Sequence, residues 1–225
     1  MRLNVRRLSI LDPSYLTHRY LWRNLESAVR QAKGNLPSDA RIVLDIGCGQ
    51  KPYADLFEDT LHIGLNYDTH DASPDVLGDA TRLPIASQSV DMVFCAQVLE
   101  HVSRPWALVS ECFRVLKPGG WLVLSAPFFW PLHEVPHDYF RFTRYGLEQL
   151  IKDAGFTQCS VLADGGDYAR LCLSIIHALP RWLGIPLRLP LNLGGAVLDK
   201  FFYRTTLPAN YTVLARAGDV PRHSV

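Results

Sequence analysis

Long runs of one charge are absent from this chain, and its net charge is only +1. A protein that tracks a nucleic-acid backbone needs a concentrated field of lysine and arginine, so the even balance speaks against broad nucleic-acid binding. No apolar stretch reaches the roughly 20 clean residues that span a bilayer. The N-terminal stretch carries Arg2, Arg6 and Arg7 but no apolar run long enough for a signal peptide. Cysteine is sparse and unpatterned: Cys48, Cys95, Cys112, Cys159 and Cys172 are odd in number, widely spaced and form no Cys-x-x-Cys. That reads as free thiols in a reducing cytoplasm rather than a disulfide framework. What is present is 48% hydrophobic and 20% charged, enough apolar material for a sizeable core. The length suits one α/β domain over residues 1–225 with room for an insertion.

The informative stretch is Val43-Leu44-Asp45-Ile46-Gly47-Cys48-Gly49. Ile42 to Leu44 suits a strand buried on both faces. A carboxylate and two glycines spaced one residue apart then allow a sharp turn and a close approach of backbone to ligand. In open α/β sheets ligands sit beyond the carboxyl ends of the strands, where this turn falls. A third glycine is missing: Pro52 occupies its place. A pyrophosphate wants bare amides at a helix start, so Pro52 and the negative Asp45 both disfavour a dinucleotide. An acid here suits a ligand with an ammonium group.

Taken in order, Ser14 to Lys33 reads as a helix within an N-terminal element 1–36, introduced by Asp12-Pro13-Ser14. It would either pack on the sheet or cover a ligand. A short helix is expected at Tyr53–Phe57. Strands are expected at Leu61–Leu65, Val76–Leu77, Ser89–Cys95 and Trp121–Pro127. A helix is expected over Trp106–Leu116, ended by Lys117-Pro118-Gly119-Gly120. This alternation implies a parallel sheet with right-handed crossovers. Thr143 should cap a helix reaching Ala154, with Gly155 stopping it. Strands at Gln158–Leu162 and Tyr211–Arg216 close the pattern, and residues 220–225 read as a loose tail.

Four motifs in this order, Val43-Leu-Asp-Ile-Gly-Cys-Gly49, Gly78-Asp-Ala80, Leu99-Glu-His-Val102 and Leu116-Lys-Pro-Gly-Gly120, resemble those of the class I methyltransferases that use S-adenosylmethionine. The resemblance covers roughly residues 41–160. The stretch Trp130 to Thr143 is similar to a subgroup of bacterial small-molecule or glycan-type methyltransferases. The resemblance implies a doubly wound, seven-stranded Rossmann-like sheet of order 3-2-1-4-5-7-6 with strand 7 antiparallel. It also implies residue roles. Asp45, Gly47 and Gly49 would meet the methionine part of the cofactor. Asn66 stands where the family usually has the ribose-binding acid. Tyr67 would lie along the adenine, Asp79 and the Ala80 amide would meet its edge, and Ala96 and Gln97 would border the sulfonium.

The loop Phe128–Thr143 follows the fifth strand and carries Trp130, His133, Glu134, His137, Asp138, Tyr139 and Arg141. Loops at that rim usually carry function. Methyl transfer is an in-line displacement, so the protein mainly aligns the nucleophile and, for an oxygen of high pKa, supplies a base. His133 and His137 are the candidate bases, with Asp138 as orienter or second base. The alternative is that His137, Asp138 and Arg141 brace the loop. His133-Glu-x-x-His137 matches a zinc-protease pattern, but that chemistry needs a helix and Pro136 disfavours one. Gln97-x-x-Glu100-His101 offers a neutral amide, a poorer ligand for a hard cation than a carboxylate. No metal is expected, and Glu100 and His101 read as a polar pair at the pocket rim.

Residues 165–208 form an apolar insertion with helical pieces at Leu171–Leu179 and Ala196–Phe202, broken by Pro180, Pro186 and Pro190. Three roles compete for it: a cap on the substrate pocket, a homodimer surface, or peripheral contact with the inner face of a membrane, for which mixed aromatic and basic residues are suited. The expected activity is methyl transfer from S-adenosylmethionine to a small-molecule, glycan or lipid-linked acceptor, at oxygen or nitrogen. The rival is a binding protein that keeps the fold without transfer, and Asn66 is the residue that favours it.

Overall fold

The computed structural model describes residues 9–40, 42–70 and 72–219. Arg2, Arg6, Arg7 and the tail expected at 220–225 lie outside the described residues. Helix α1 (Tyr15–Asn35) precedes β1 (Ile42–Ile46), β2 (Leu61–Asn66), β3 (Val76–Leu77) and β4 (Val90–Ala96). Then come α2 (Pro105–Val115), β5 (Leu116–Pro127), α3 (Arg144–Ala154), β6 (Gln158–Asp164), α4 (Asp167–Ala178), α5 (Arg181–Phe201) and β7 (Asn210–Arg216). The sheet order is β3-β2-β1-β4-β5-β7-β6, as expected. Strand β7 runs antiparallel to both β5 and β6, while β1 to β5 pair in parallel.

Strand alternation splits the core into two layers. Leu44, Ile46, Val93, Cys95, Leu122 and Leu124 point to the face covered by α2 and α3. Val43, Met92, Phe94, Trp121 and Val123 point to the other face, under Leu21, Leu25, Ala28, Val29 and Ala32 of α1. Helix α1 is thus a packing helix, and the lid reading of it is not supported: none of its residues borders the cleft described below. Helix α3 has the ends its sequence announces. Thr143 Oγ1 accepts a hydrogen bond from the Gly146 amide at 3.1 Å, a cap worth about 1 kcal/mol, and Gly155 ends the helix at φ 109°.

Three boundaries depart from expectation. Tyr53–Phe57 holds only a single 3-10 turn, Ala54–Leu56. Strand β5 begins at Leu116 rather than Trp121. Its Lys117-Pro118-Gly119-Gly120 stretch forms an irregular lead-in, with a register shift opposite Val90 and Met92. Helix α5 runs unbroken through Pro186 and Pro190. Both prolines lie on its exposed side, so the carbonyls they leave without donors are on a face open to water, not in the core. The hairpin of α4 and α5 is pinned from below. Buried Asp199 accepts from the amides of Gly166, Tyr168 and Ala169 at 3.0, 3.1 and 3.3 Å, which satisfies orphan donors at the start of α4. Asn192 donates to the carbonyls of Ile10 and Asp12.

Candidate cofactor and acceptor cleft

The carboxyl ends of β1, β2, β3 and β4 open into one cleft of about 850 Å³. A much smaller hollow of about 110 Å³ lies near Lys33, Ile42 and Asp91, at the other end of the strands. Ile46, Gly47 and Gly49 form one wall of the large cleft, and Asn66, Tyr67, Asp79, Ala80 and Thr81 form another. Gln97, Val98, His101, Arg104, Glu134, His137 and Tyr139 also line it.

The glycine turn is shaped for close contact. Gly47 has φ 69°, and a Cβ there would stand 2.3 Å from Val98 Cγ2. Its amide donates to the Leu65 carbonyl at 2.8 Å, which ties the turn to β2. Gly49 has φ 48°, and a Cβ there would meet nothing within 4 Å; that open space is the cleft itself. Asp79 Oδ1 accepts from both the amide and the hydroxyl of Thr81, at 2.7 and 2.8 Å. The Thr81 amide and hydroxyl, first the backbone bond and then the side-chain one, hold the Asp79 carboxyl below its ordinary range. It is therefore an ionised acceptor at neutral pH. Gln97 adopts φ 57°, a conformation uncommon outside glycine, and its amide donates to Ser125 Oγ at 3.1 Å.

The structure separates the residues singled out in the sequence. Gly47, Gly49, Asn66, Tyr67, Asp79, Ala80, Gln97 and His137 border the cleft together. Asp45, His133 and Asp138 do not. Asp45 alternates onto the α1 face of β1, is buried, and bonds His62 Nε2 at 2.9 Å; burial pushes its carboxyl up while the His62 hydrogen bond pulls the other way. Asp138 is held by Arg141, with Nη1 at 2.6 Å and Nη2 at 2.7 Å, and accepts the His133 amide at 3.0 Å. Arg141 keeps that carboxyl far below the usual carboxylate range. So Asp138 and Arg141 clamp each other within the loop, without His137. His137 Nδ1 lies 2.9 Å from the Tyr139 hydroxyl. Residues 128–143 contain no helix, which removes the geometry a zinc protease needs. His101, Arg104, Thr81 and Glu134 also border the cleft. Sequence spacing put His101 at the rim, whereas nothing in it marked Arg104 or Thr81.

Residues 44–124 match the methyltransferase-domain family. Fold and sequence are both similar to those of the class I methyltransferases that depend on S-adenosylmethionine. Among its curated relatives, a probable S-adenosylmethionine-dependent methyltransferase of Mycolicibacterium smegmatis is 38% identical over 52% of this chain and 52% of its own length. An uncharacterised methyltransferase of Mycobacterium tuberculosis is 39% identical over 40% of each chain. The chain thus spans about half or less of the curated relatives it matches. Among solved structures, a possible histamine N-methyltransferase from Thermotoga maritima superposes with TM-score 0.59 at 18% identity, over 90% of this chain and 92% of the other. An S-adenosylmethionine-dependent methyltransferase from Archaeoglobus fulgidus gives TM-score 0.56 at 18% identity, over 86% and 93%.

The cleft fits the cofactor of this class. An adenosyl group needs a slot with an edge acceptor, which Asp79 would supply, and a close approach to bare backbone, which Gly47 and Gly49 would allow.

Proposed function

We propose that the protein transfers a methyl group from S-adenosylmethionine to an oxygen or nitrogen of a small-molecule, glycan or lipid-linked acceptor. The observation that carries this is continuity. One cleft runs from the glycine turn and Asp79 to a rim bearing His101, His137 and Tyr139, so a donor and an acceptor can meet in a shared volume.

The roles are those the resemblance implies, and these residues share one cleft. Gly47 and Gly49 would let the backbone approach the amino-acid end of the cofactor. Asn66 would meet the ribose and Tyr67 the adenine, with Asp79 and the Ala80 amide at the adenine edge. Gln97 would border the sulfur. When bound, the cofactor supplies an electrophilic methyl group on a positively charged sulfur. His137, in the cleft and touching Tyr139, is the base that takes the acceptor's proton. His133 and Asp138 act on it through the loop they brace with Arg141.

The exposed face of α5 supports a lipid-linked acceptor. Trp182, Ile185, Leu189, Leu193, Val197 and Phe201 recur every three or four residues along it, with Trp182 77% and Phe201 70% exposed. Residues 165–208 hold five arginines and lysines but only two aspartates, one of which, Asp199, is buried. An apolar stripe with flanking cations suits a helix lying on an anionic bilayer. Helix α4 links this face to the acceptor loop: Arg170 lies 4.7 Å over the Phe129 ring, and His177 meets Trp130 with ring centroids 6.2 Å apart. Among the described residues no helix is long and apolar enough to cross a membrane.

Transfer of a labelled methyl group to extracted small molecules, glycans and lipids tests the proposal. Label appearing in one fraction, and lost in His137→Ala, supports it. Cofactor binding with no transfer to any fraction supports the rival binding protein.

A further inference from the structure

We infer that Glu100, His101 and His133 form a binding site for a divalent transition-metal ion of the zinc type at the rim of the cleft. One ligand atom from each residue lies within 4.8 Å of the other two. The site draws on two separate segments. Glu100 and His101 come from the turn after β4, and His133 comes from the loop after β5.

Glu100 is the strongest indication. Its side chain is completely buried, and neither carboxylate oxygen has a hydrogen-bond partner. A carboxylate taken from water with nothing to pair it is costly, and proteins normally pair such groups or give them a metal.

The imidazoles are set up as ligands. His101 Nδ1 lies 2.8 Å from the His137 carbonyl. A carbonyl only accepts, so Nδ1 carries the proton and Nε2 offers its lone pair. That Nε2 lies 3.8 Å from Glu100 Oε1 and 3.8 Å from Glu134 Oε2. His133 Nδ1 lies 3.3 Å from the Pro131 carbonyl and 3.4 Å from Asp138 Oδ2, and that carboxylate is paired with Arg141 at 2.6 and 2.7 Å. Both neighbours accept, so the free lone pair of His133 is also on Nε2. The two rings stand edge to face with centroids 4.7 Å apart. Metal-bound histidines typically hand their other N–H to a carbonyl or carboxylate in this way, which fixes ring and tautomer.

Two histidines and one glutamate form a ligand set of catalytic zinc, which leaves a fourth position open. Donor atoms around a tetrahedral zinc stand about 3.3 Å apart, so the side chains must draw together on binding. Sequence spacing disfavoured a metal because Gln97 stands where a carboxylate ligand would. That amide is bonded to Ser125, and the loop supplies His133 instead. Of the three ligands His101 borders the cleft, so the site adjoins its acceptor end. An acceptor hydroxyl bound there would lose its proton more easily. The role in transfer rests on the proposed function; metal binding does not.

The test uses the full chain stripped with a chelator and titrated with zinc chloride in the absence of S-adenosylmethionine. Calorimetry reads stoichiometry, thermal melting reads zinc-dependent stabilisation, and cobalt chloride gives a visible spectrum that reports coordination. The expected result is one equivalent bound, with a rise in melting temperature. Affinity should fall by about tenfold or more in both Glu100→Gln and His133→Asn. Glu100→Gln keeps the shape of a buried group and removes only its charge, so it should fold; His133 sits in a partly exposed loop. Cys159→Ser, which removes an exposed thiol, should leave binding unchanged. No stoichiometric binding, or binding that neither Glu100→Gln nor His133→Asn weakens, overturns the inference. Binding of S-adenosylhomocysteine to the same samples is read separately, so failure of the cofactor reading would not be mistaken for failure of the metal site.

Discussion

Substituting Gly47 by alanine tests how the glycine turn is held, and the expected cost has two separable parts. The first is conformational. Gly47 sits at φ 69°, where an L-residue loses about 1–2 kcal/mol relative to its normal region. The second is steric. The new Cβ would stand 2.3 Å from Val98 Cγ2 and 3.2 Å from Cγ1, and forcing one extra carbon into packed surroundings costs about 1–3 kcal/mol. Alanine also narrows the unfolded ensemble, which returns roughly 0.4–1 kcal/mol. The net destabilisation should therefore be about 1–5 kcal/mol. Val98→Ala removes both clashing methyl groups, so in that background Gly47→Ala should cost only the conformational part. The two substitutions should show a favourable coupling of about 1–3 kcal/mol in a double-mutant cycle. Urea unfolding of the four proteins measures it, with a common slope confirming a common transition. An equal cost of Gly47→Ala in both backgrounds would refute the steric argument. A cost below about 0.5 kcal/mol, within the range of ordinary surface changes, would refute both parts.

Three other outcomes are expected. Asp164 is buried between Asn24 and Thr212, and burial pushes its carboxyl up to about 7 against the pull of those hydrogen bonds. The unfolded chain gives up this proton near pH 4 while the fold keeps it, so this group's contribution to stability is full below pH 4 and is lost as pH rises toward 7. Asp164→Asn should flatten the fall in melting temperature between pH 4 and pH 7; an unchanged slope would contradict the assignment. His137→Ala should lower the rate of transfer by about a hundredfold or more with little change in cofactor affinity, and equal rates would demote His137 to a brace. The protein should float with vesicles containing anionic lipid and not with neutral ones, and Trp182→Ser with Phe201→Ser should abolish this. Flotation indifferent to lipid charge or to those changes would count against the lipid face.

Much of the fold was readable because its signals are local and repeated. The buried run Ile42–Leu44, the turn at Gly47 and Gly49, and the Thr143 and Gly155 ends of α3 each carry their own physical reason. Their alternation implied a parallel sheet, and the strand order came from the family resemblance. What escaped was non-local. Nothing near Asp45 announces that strand alternation gives it to His62 on β2. The loop 128–143 was correctly placed at the rim. Yet whether His133 or His137 turns into the cleft depends on Arg141 clamping Asp138, a contact that spacing alone does not determine. The same is true of Glu100: its burial arises from the loop that folds over it, with the Tyr139 amide donating to the Glu100 carbonyl at 2.9 Å. Proline rules misjudged α5, because they count lost hydrogen bonds without asking whether the freed carbonyls lie toward water.

The central claim is that the cleft at the ends of β1 to β4 holds an adenosyl sulfur ligand. Calorimetry with S-adenosylhomocysteine on the wild type and on Asp79→Ala tests it most directly. One site per chain is expected, weakened by roughly tenfold or more when the charged acceptor is removed, with circular dichroism unchanged. No binding by the wild type, or equal affinity in the two proteins, would contradict it.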